Sequence, residues 1–313
     1  MAFYLVTGGA GFIGSNAVEE LLRRQEKVRV LDNFSTGKRD NLGAFMDQIE
    51  LIEGDLRDFQ VAREAVEGMD YILHLGALPS VARSVKDPIA SNETNVCATV
   101  NLLTAAKGTS VKRIVFTSSS SVYGDTPVLP KVEDITPHPR SPYAVSKLAG
   151  EYYCRVFTLV YGLETVILRY FNIFGPRQDP TSQYAAVIPL FIRTMMKGEN
   201  PIIYGDGWQS RDFTFVANAV SALLLAAKVP QAAGGIFNIA CGERHSLREL
   251  IERLNVILGT KIEPKYAESR LGDVKHSLAD ISQARKILGY EPIVNFERGL
   301  KQTVEWNRAE TSR

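Results

Sequence analysis

A tyrosine and a lysine four residues apart, Tyr143 and Lys147, lie in a stretch that predicts a helix beginning near Pro142. At this spacing the two side chains share one face of a helix. A cation held beside a phenol favours the phenolate and lowers the pKa of the tyrosine. Such a tyrosine can take a proton from a hydroxyl group and later return it. The same spacing occurs on many solvated helix faces, so the interpretation depends on the rest of the chain.

A glycine-rich segment near the start of the chain lies between a predicted strand and a predicted helix. Residues 3–6 form a short apolar run that is typical of a buried parallel strand, and residues 15–24 follow a helical pattern. Glycines in the intervening residues 7–14 let the backbone turn sharply and approach a pyrophosphate at the helix N-terminus. The alternative is a glycine-rich turn without a ligand. The strand–turn–helix context favours a dinucleotide site.

The charge at the end of the second predicted strand indicates which dinucleotide is bound. Asp32 closes the strand predicted over residues 28–31. An acid at this distance from the glycines can bond the adenosine ribose hydroxyls and would repel a 2′-phosphate, which favours NAD over NADP. Lys38 and Arg39 lie just beyond and could soften this preference. We interpret both as solvated cations of a turn.

Strands that alternate with helices continue along the first half of the chain. Further strands are predicted over residues 49–52, 71–75, 113–116 and 165–168, and a long helix over residues 88–107. This alternation predicts an α/β fold with a doubly wound parallel sheet. Ligands of such sheets bind at the carboxyl ends of the strands.

Several polar side chains fall on these strands or at their ends. Asp55 could bond the adenine amino group, or it could cap the helix that is predicted to start near Phe59. His74 lies inside a strand, so we interpret it as a core histidine with satisfied hydrogen bonds. Ser119 follows a strand, where its hydroxyl can hydrogen-bond a substrate hydroxyl alongside Tyr143.

Length and composition limit the remaining possibilities. The chain has 313 residues, 45% hydrophobic residues and a formal net charge of +1, which suits one large or two modest globular domains. This near-zero net charge gives no indication that the protein binds nucleic acid or an anionic membrane. Neither a signal peptide, a membrane span nor a metal site is predicted. Three scattered cysteines, Cys97, Cys154 and Cys241, suit reduced thiols, so we expect a cytoplasmic protein.

Together these residues resemble the extended short-chain dehydrogenase/reductase family along essentially the whole chain. The resemblance is carried by Gly8, Gly11 and Gly14, by the set Ser119, Tyr143 and Lys147, and by residues 168–172. Within that family the chain is similar to nucleotide-sugar 4-epimerases, and above all to the branch that acts on UDP-N-acetylhexosamines. Residues 130–134, 184–189 and 272–280 carry the latter likeness. One departure is Gly76-Ala77, where many members have two alanines.

The resemblance implies NAD as the cofactor, a UDP-sugar as the substrate and a set of residues for each. The residues implied for the cofactor are Gly8, Gly11, Phe12, Ile13, Gly14, Asp32, Asn33, Phe34, Ser35, Thr36, Gly37, Asp55, Leu56, Leu75, Gly76, Ala77, Asn95, Thr117, Tyr143, Lys147, Tyr170 and Phe171. The residues implied for the substrate are Ser80, Ser119, Tyr143, Asn172, Ala186, Val187, Ile202, Tyr204, Arg211, Arg270, Asp273 and Ser277. Among these, Arg211 and Arg270 would bond the diphosphate, since a planar guanidinium suits phosphate oxygens.

The resemblance also implies a reaction, which the local sequence narrows. Members that eliminate water or carbon dioxide carry an acid just before the Val-Tyr-Gly that here is residues 122–124, whereas this chain has Ser120 and Ser121. Without that acid, dehydration and decarboxylation lose a needed group. We therefore expect epimerisation at C4 through a transient 4-keto sugar. The alternatives are another NAD-dependent nucleotide-sugar oxidoreductase or dehydratase, and a non-catalytic NAD-sensing protein.

Substrate class, domain organisation and assembly complete the predictions. Small Ser277 favours UDP-N-acetylglucosamine and UDP-N-acetylgalactosamine, with UDP-glucose and UDP-galactose as well; the alternatives are a helix-capping serine and an epimerase without acetylated-sugar activity. An NAD-binding domain is predicted over residues 1–172 plus 213–242, and a smaller, interleaved substrate domain over residues 173–212 plus 243–313. The resemblance implies a homodimer in which the helices from Pro88 and Pro142 form a four-helix bundle.

Overall fold

The computed structural model describes residues 1–181, 185–268 and 275–311. Its strands are β1 (Phe3–Thr7), β2 (Lys27–Asp32), β3 (Glu50–Glu53), β4 (Tyr71–His74), β5 (Arg113–Ser119), β6 (Thr165–Tyr170), β7 (Ile173–Phe174), β8 (Ile202–Tyr204), β9 (Ser210–Arg211), β10 (Thr214–Phe215), β11 (Ile236–Ile239), β12 (His245–Ser246) and β13 (Lys265–Ala267). Its α-helices are α1 (Phe12–Arg23), α2 (Phe59–Val66), α3 (Val81–Lys86), α4 (Pro88–Asn92), α5 (Ala98–Ala106), α6 (Pro142–Tyr161), α7 (Val187–Met196), α8 (Val216–Lys228), α9 (Leu247–Leu258), α10 (Ser282–Leu288) and α11 (Phe296–Thr311).

Seven strands form the central sheet in the order β3-β2-β1-β4-β5-β6-β11. Each neighbouring pair is parallel. The chain first adds strands on one side of β1 and then returns to its other side with β4, so the direction of winding changes between β1 and β4. Ligands of open α/β sheets bind outside the carboxyl ends of the strands at such a point. The predicted doubly wound parallel sheet is confirmed.

Two apolar clusters cover the two faces of this sheet. Alternate residues of β1 belong to different clusters: Val6 packs in one and Leu5 in the other. The first cluster includes apolar residues of α1 and α8, and the second includes those of α2, α5 and α6. Burial on both faces explains why the strands read as continuous apolar runs, as is usual for parallel sheets.

The predicted long helix over residues 88–107 is helical along its length but is not a uniform α-helix. Between α4 and α5 the backbone forms one π-helical turn, Glu93–Cys97. Such turns insert an extra residue, shift the face that the following residues present, and are frequent at functional sites. The turn contains Asn95, one of the residues implied for the cofactor.

A smaller region built from β7–β10, β12, β13, α7, α9, α10 and α11 lies along the chain after Asn172. Four phenylalanine rings join its segments: Phe174 contacts Phe213, Phe215 and Phe296 at centroid distances of 6.4, 5.7 and 5.7 Å. This packing runs across the predicted domain boundaries, which remain a prediction. Within the described ranges, each helix is too short or too polar to cross a lipid bilayer.

Candidate active site

A cavity of about 940 Å³ lies at the carboxyl ends of the central strands. Residues from the ends of β1, β2, β4, β5 and β6 line it, together with the first residues of α1 and α6. Most of the residues implied by the sequence are brought together in its wall: Gly8, Gly11, Phe12, Ile13, Gly14, Asp32, Asn33, Phe34, Ser35, Thr36, Gly37, Asp55, Leu56, Leu75, Gly76, Ala77, Ser80, Thr117, Ser119, Tyr143, Lys147, Tyr170, Asn172 and Ala186.

The glycine-rich loop is shaped by two close backbone approaches. Gly8 has φ +68°, and a Cβ there would lie 2.8 Å from the Gly76 Cα. A Cβ at Gly14 would lie 2.1 Å from the Gly8 carbonyl oxygen, so a side chain at this position would force α1 away from β1. The loop therefore delivers the N-terminus of α1 directly into the cavity. Free N–H groups and the helix dipole at this end fit a pyrophosphate.

Asp32 borders the same part of the cavity. Its Oδ2 accepts a hydrogen bond from the Ala10 N–H at 2.9 Å, and its Oδ1 accepts one from the Phe34 N–H at 2.8 Å. Burial raises the pKa of this carboxyl group, whereas these two hydrogen bonds lower it. Each carboxylate oxygen has a second acceptor site, so the side chain can also accept bonds from two ribose hydroxyls.

Asp55 lies on the adjoining wall and is held by its neighbours. It accepts hydrogen bonds from the Arg57 guanidinium and from the Asn33 amide, both at 2.8 Å. The Arg57 hydrogen bond is the largest cause that lowers the pKa of Asp55 to about 2. The alternative that Asp55 caps α2 is wrong, because Asp58 is the capping residue and accepts a bond from the Gln60 N–H.

The tyrosine and the lysine enter the cavity from the first two turns of α6. The helix begins after Ser141, whose hydroxyl caps the Ala144 N–H at 3.1 Å. Lys147 is 5% exposed, and its ammonium donates a hydrogen bond to the Thr117 carbonyl at 3.0 Å. Tyr143 lies one turn earlier, where the nearby Ser119 side chain acts to lower the pKa of its phenol. Ser119, Tyr143 and Lys147 are thus brought together at the end of β5, as the sequence predicts.

The electrostatic balance of these groups differs from the expectation. Burial lowers the pKa of Lys147 to about 8. Burial also raises the pKa of Tyr143, and the hydrogen bond from Ser119 opposes that shift. The expected net lowering of the tyrosine pKa is therefore wrong for the protein's own groups. The physical reason is that desolvation of the buried phenolate dominates, so a nearby ammonium alone does not bring the pKa below its ordinary value.

Comparisons with known proteins agree with this site. The model of the NAD dependent epimerase/dehydratase family matches residues 4–240. The chain belongs to this family. The UDP-glucose 4-epimerase of Mycolicibacterium smegmatis is 39% identical over 97% of this chain and 98% of its own. Two solved structures have TM-scores of 0.94 and cover 99% of both chains: the UDP-N-acetylglucosamine 4-epimerase of Methanobrevibacter ruminantium in complex with UDP-N-acetylmuramic acid, at 42% identity, and the UDP-glucose 4-epimerase of Thermotoga maritima with UDP-glucose, at 38%.

This member of the epimerase/dehydratase family is an enzyme whose cofactor is NAD. The glycine loop, the N-terminus of α1 and the carboxylate of Asp32 fit the pyrophosphate and the ribose of a dinucleotide. Tyr143 and Lys147 line the same cavity.

Two residues implied for the cofactor do not line the cavity. Asn95 is 2% exposed; its Oδ1 accepts from the Leu78 N–H at 2.7 Å, and its Nδ2 donates to the Ser146 hydroxyl at 3.0 Å. Asn95 therefore reaches the site through Leu78, which is part of the wall. Phe171 is fully buried and packs against Tyr123 at 6.1 Å between centroids, so its ring belongs to the core.

Several residues implied for the substrate also lie outside the wall of this cavity. They are Val187, Ile202, Tyr204, Arg211 and Ser277. Arg270 and Asp273 lie outside the described residues. The roles of all seven remain predictions. His74 is the satisfied core histidine that the sequence predicts, with bonds to Thr7 and Thr99 at 2.8 and 2.9 Å and a pKa lowered to about 3 by burial.

The sequence reasoning missed part of the wall. Lys38 lines the cavity and pairs with Asp179 at 3.3 Å while its side chain stays half-exposed, so its interpretation as a solvated turn cation remains a prediction. Arg39 instead pairs with Glu53 and lies over the Phe34 ring. Other residues of the wall without an assigned role include Leu78, Pro79, Arg83, Thr94, Ile173, Arg177 and Gln178. Of these, only Leu78 and Pro79, which follow β4, and Arg177 and Gln178, which follow β7, lie in loops at the carboxyl ends of strands.

Replacing Asp32 with alanine should weaken the retention of NAD and relax discrimination against NADP by about tenfold or more, because a like charge near the 2′-phosphate is removed. Titrating both dinucleotides into apo-protein measures the two affinities. Asp40→Ala is the matched control, since it removes an exposed carboxylate from the same region that does not line the cavity. An unchanged NAD/NADP ratio in Asp32→Ala would mean that another residue reads the ribose.

Proposed function

We propose that this enzyme interconverts UDP-hexoses that differ in configuration at C4. The observation that carries the proposal is the convergence of Ser119, Tyr143 and Lys147 in the cavity that also holds the glycine loop. When bound, NAD supplies a hydride acceptor for C4 of the sugar and returns the same hydride. The protein groups then need only to move one proton and to hold the UDP moiety while the 4-keto sugar rotates to present its other face.

In this proposal Tyr143 is the base that takes the proton from the sugar 4-hydroxyl and later returns it. Burial raises the pKa of its phenol, so ionisation depends on positive charge nearby. The ammonium of Lys147, one turn further along α6, and the positive charge that oxidised nicotinamide brings would supply it. The Ser119 hydroxyl contacts the phenol and would hydrogen-bond the same sugar oxygen.

Epimerisation is favoured over elimination by the short segment directly after β5. Residues Ser120–Tyr123 form a short 3₁₀-helix, and both Val122 and Tyr123 are buried. The acid that dehydratases and decarboxylases of the family carry just before Val122 is replaced by serine in this chain. Serine is not acidic enough to protonate a leaving hydroxyl group. A redox-neutral reversal at C4 needs no such group.

The UDP moiety would lie between the cavity and the loops after β6 and β8. Asn172 lines the cavity with φ +40°, a conformation that is uncommon for residues other than glycine. The guanidinium of Arg211 donates to the carbonyls of Ser210 and Lys275 at 3.0 and 3.2 Å, which orients it beside the segment that follows the undescribed residues 269–274. We propose that Arg211 and Arg270 bond the diphosphate, and that Ala186, Val187, Ile202 and Tyr204 contact the uridine.

Ser277 supports a preference that includes N-acetylated sugars. Its N–H donates to the Ser210 carbonyl at 3.0 Å, which fixes its position next to Arg211. The alternative that it caps the following helix is wrong, because α10 begins after Ile281 without a side-chain cap. A hydroxymethyl group leaves room for an acetamido group, whereas a large aromatic side chain would not. We therefore propose UDP-N-acetylglucosamine and UDP-N-acetylgalactosamine as substrates, with UDP-glucose and UDP-galactose as well.

A homodimer is also part of the proposal. One face of α6 is exposed and apolar, with Val156, Leu159 and Val160 exposed by 47, 85 and 61%, and Ile89 of α4 is 70% exposed. Paired helices from two copies would bury these side chains in a four-helix bundle, as a second copy presents the same apolar face. Sedimentation velocity should give twice the mass of one chain, and a single-chain mass would exclude the dimer.

Tyr143→Phe should keep the fold and the bound NAD but lower turnover by a factor of about 10²–10⁴ or more, because it removes the proposed base. Turnover of UDP-N-acetylglucosamine and NAD content after purification are the two measurements. Tyr152→Phe, which removes an exposed hydroxyl from the same helix, is the control. Turnover of Tyr143→Phe within about tenfold of wild type would contradict the assignment.

Ser277→Tyr should abolish activity on the N-acetylated pair while keeping activity on UDP-glucose and UDP-galactose, since the ring would overlap an acetamido group. Specificity constants for both pairs, in the variant and in wild type, measure the effect. Ser277→Ala keeps a small side chain and should retain both activities. The substrate proposal fails if wild type has no activity on the acetylated pair or if Ser277→Tyr loses both activities equally.

A further inference from the structure

A buried ion pair lies directly behind the candidate active site. Glu151 and Arg169 are 2% and 3% exposed, and they are joined by two hydrogen bonds, Nε–Oε1 at 2.9 Å and Nη2–Oε2 at 2.7 Å. The Ser118 hydroxyl donates to the same carboxylate at 2.5 Å. Arg169 also contacts the Tyr123 hydroxyl at 2.9 Å. This network lies outside the cavity wall except for Ser118 and has no part in the proposed chemistry.

Three members of the network adjoin a residue of the site. Ser118 precedes Ser119 on β5, and Arg169 precedes Tyr170 on β6. Glu151 lies one helical turn after Lys147 on α6. Together with the Ser118 hydroxyl, the pair therefore links α6, β5 and β6, the three elements that carry Tyr143, Ser119 and Tyr170. Gly150, which precedes Glu151 on α6, lets this helix lie against β5, since a Cβ at this position would be 2.4 Å from the Phe116 ring.

A buried ion pair needs a reason other than stability. Removing two charges from water costs about as much as their mutual attraction returns, so apolar residues of similar volume would often serve the fold as well. A role in fixing the register or the electrostatics of nearby groups is a better-supported reason for such a pair. The nearby group here is the buried ammonium of Lys147.

The surroundings of Lys147 leave Glu151 as its counter-charge. His74, from β4, is neutral because burial lowers its pKa to about 3. Cys154, one turn beyond Glu151, is a neutral thiol because burial raises its pKa far above the ordinary value. Tyr143 precedes Lys147 on α6, and the Phe116 ring and the Thr117 carbonyl face it from β5. Burial lowers the pKa of Lys147, and the charge of Glu151 opposes that shift.

We propose that the Glu151–Arg169 pair is the positioning element of Lys147. The pair holds the turn of α6 that carries the lysine against β5 and β6, and the carboxylate keeps the buried lysine cationic. The positive charge of Arg169 partly neutralises the Glu151 carboxylate. Lys147 therefore gains a counter-charge without forming a strong ion pair of its own. This inference rests on the proposed function only in that a cationic Lys147 is what promotes ionisation of Tyr143.

Substitutions of Glu151 and of Arg169 should shift the pKa of Lys147 in opposite directions. Glu151→Gln removes the anion and leaves Arg169 positive, so the pKa of Lys147 should fall by about one unit. Arg169→Met leaves the anion unopposed, so the pKa of Lys147 should rise. A purely structural role would perturb the fold in both variants but would not give shifts of opposite sign.

The pKa of Lys147 can be measured without turnover. The NAD-loaded protein is labelled with ¹³C-lysine, the Cε signal of Lys147 is assigned with Lys147→Arg, and the signal is followed from pH 6 to 10. The matched control is Glu164→Gln, which breaks the Arg113–Glu164 pair at the opposite end of β5 and β6 from Ser118 and Arg169. That control should leave the pKa of Lys147 unchanged.

Opposite shifts in Glu151→Gln and Arg169→Met support the proposal, and shifts of the same sign or unmoved values overturn it. If either single variant does not fold, the double variant Glu151→Leu/Arg169→Met replaces the pair by apolar groups of similar volume. Its turnover number should fall by about tenfold or more with NAD retained, and a wild-type turnover number would overturn the positioning role. A wild-type enzyme without epimerase activity would contradict the proposed function but leave the titration of Lys147 intact.

Discussion

The hydrogen bond from the buried Lys147 ammonium to the Thr117 carbonyl is the contact on which the arrangement of the site depends. It joins the second turn of α6 to the last residues of β5. An ammonium is costly to bury without hydrogen-bond partners. Lys147 reaches the Thr117 carbonyl only while α6 is packed closely against the sheet. Gly150 permits that packing, and the Ser141 cap and Pro142 fix where the helix begins. Tyr143 and Ser119 then meet because their elements are already held.

The same end of the sheet provides the cofactor cleft. The change of winding direction between β1 and β4 leaves an opening above their carboxyl ends, and the Gly8–Gly76 approach allows the two following loops to pass each other closely. The glycine loop and Asp32 therefore line one continuous cavity together with Ser119, Tyr143 and Lys147. A reaction in which a hydride leaves and returns to one carbon requires this proximity of cofactor and base.

Features that depend on local sequence could be predicted, and those that depend on distant partners could not. The glycine loop, the position of Asp32 and the Tyr143–Lys147 spacing are local, because strand and helix periodicity place them. The ion pair of Lys38 could not be predicted, because its partner Asp179 is far along the chain and approaches it only in the folded protein. The pKa of Tyr143 was misjudged because spacing along a helix gives proximity but not burial. Asn95 contacts Leu78 instead of lining the cavity, and the π-helical turn that directs it there is not visible in the residue types.

The most direct test of the proposed reaction follows the hydrogen at C4. UDP-N-acetylglucosamine carrying deuterium at C4 is converted in ordinary water by the enzyme with unlabelled NAD, and the product is analysed by NMR and mass spectrometry. The proposed mechanism predicts that UDP-N-acetylgalactosamine keeps the deuterium at C4, because the hydrogen leaves as hydride and returns to the other face without contact with solvent. Loss of the label to water, with solvent hydrogen at C4, would show that the reaction proceeds by proton abstraction from carbon and would contradict the mechanism.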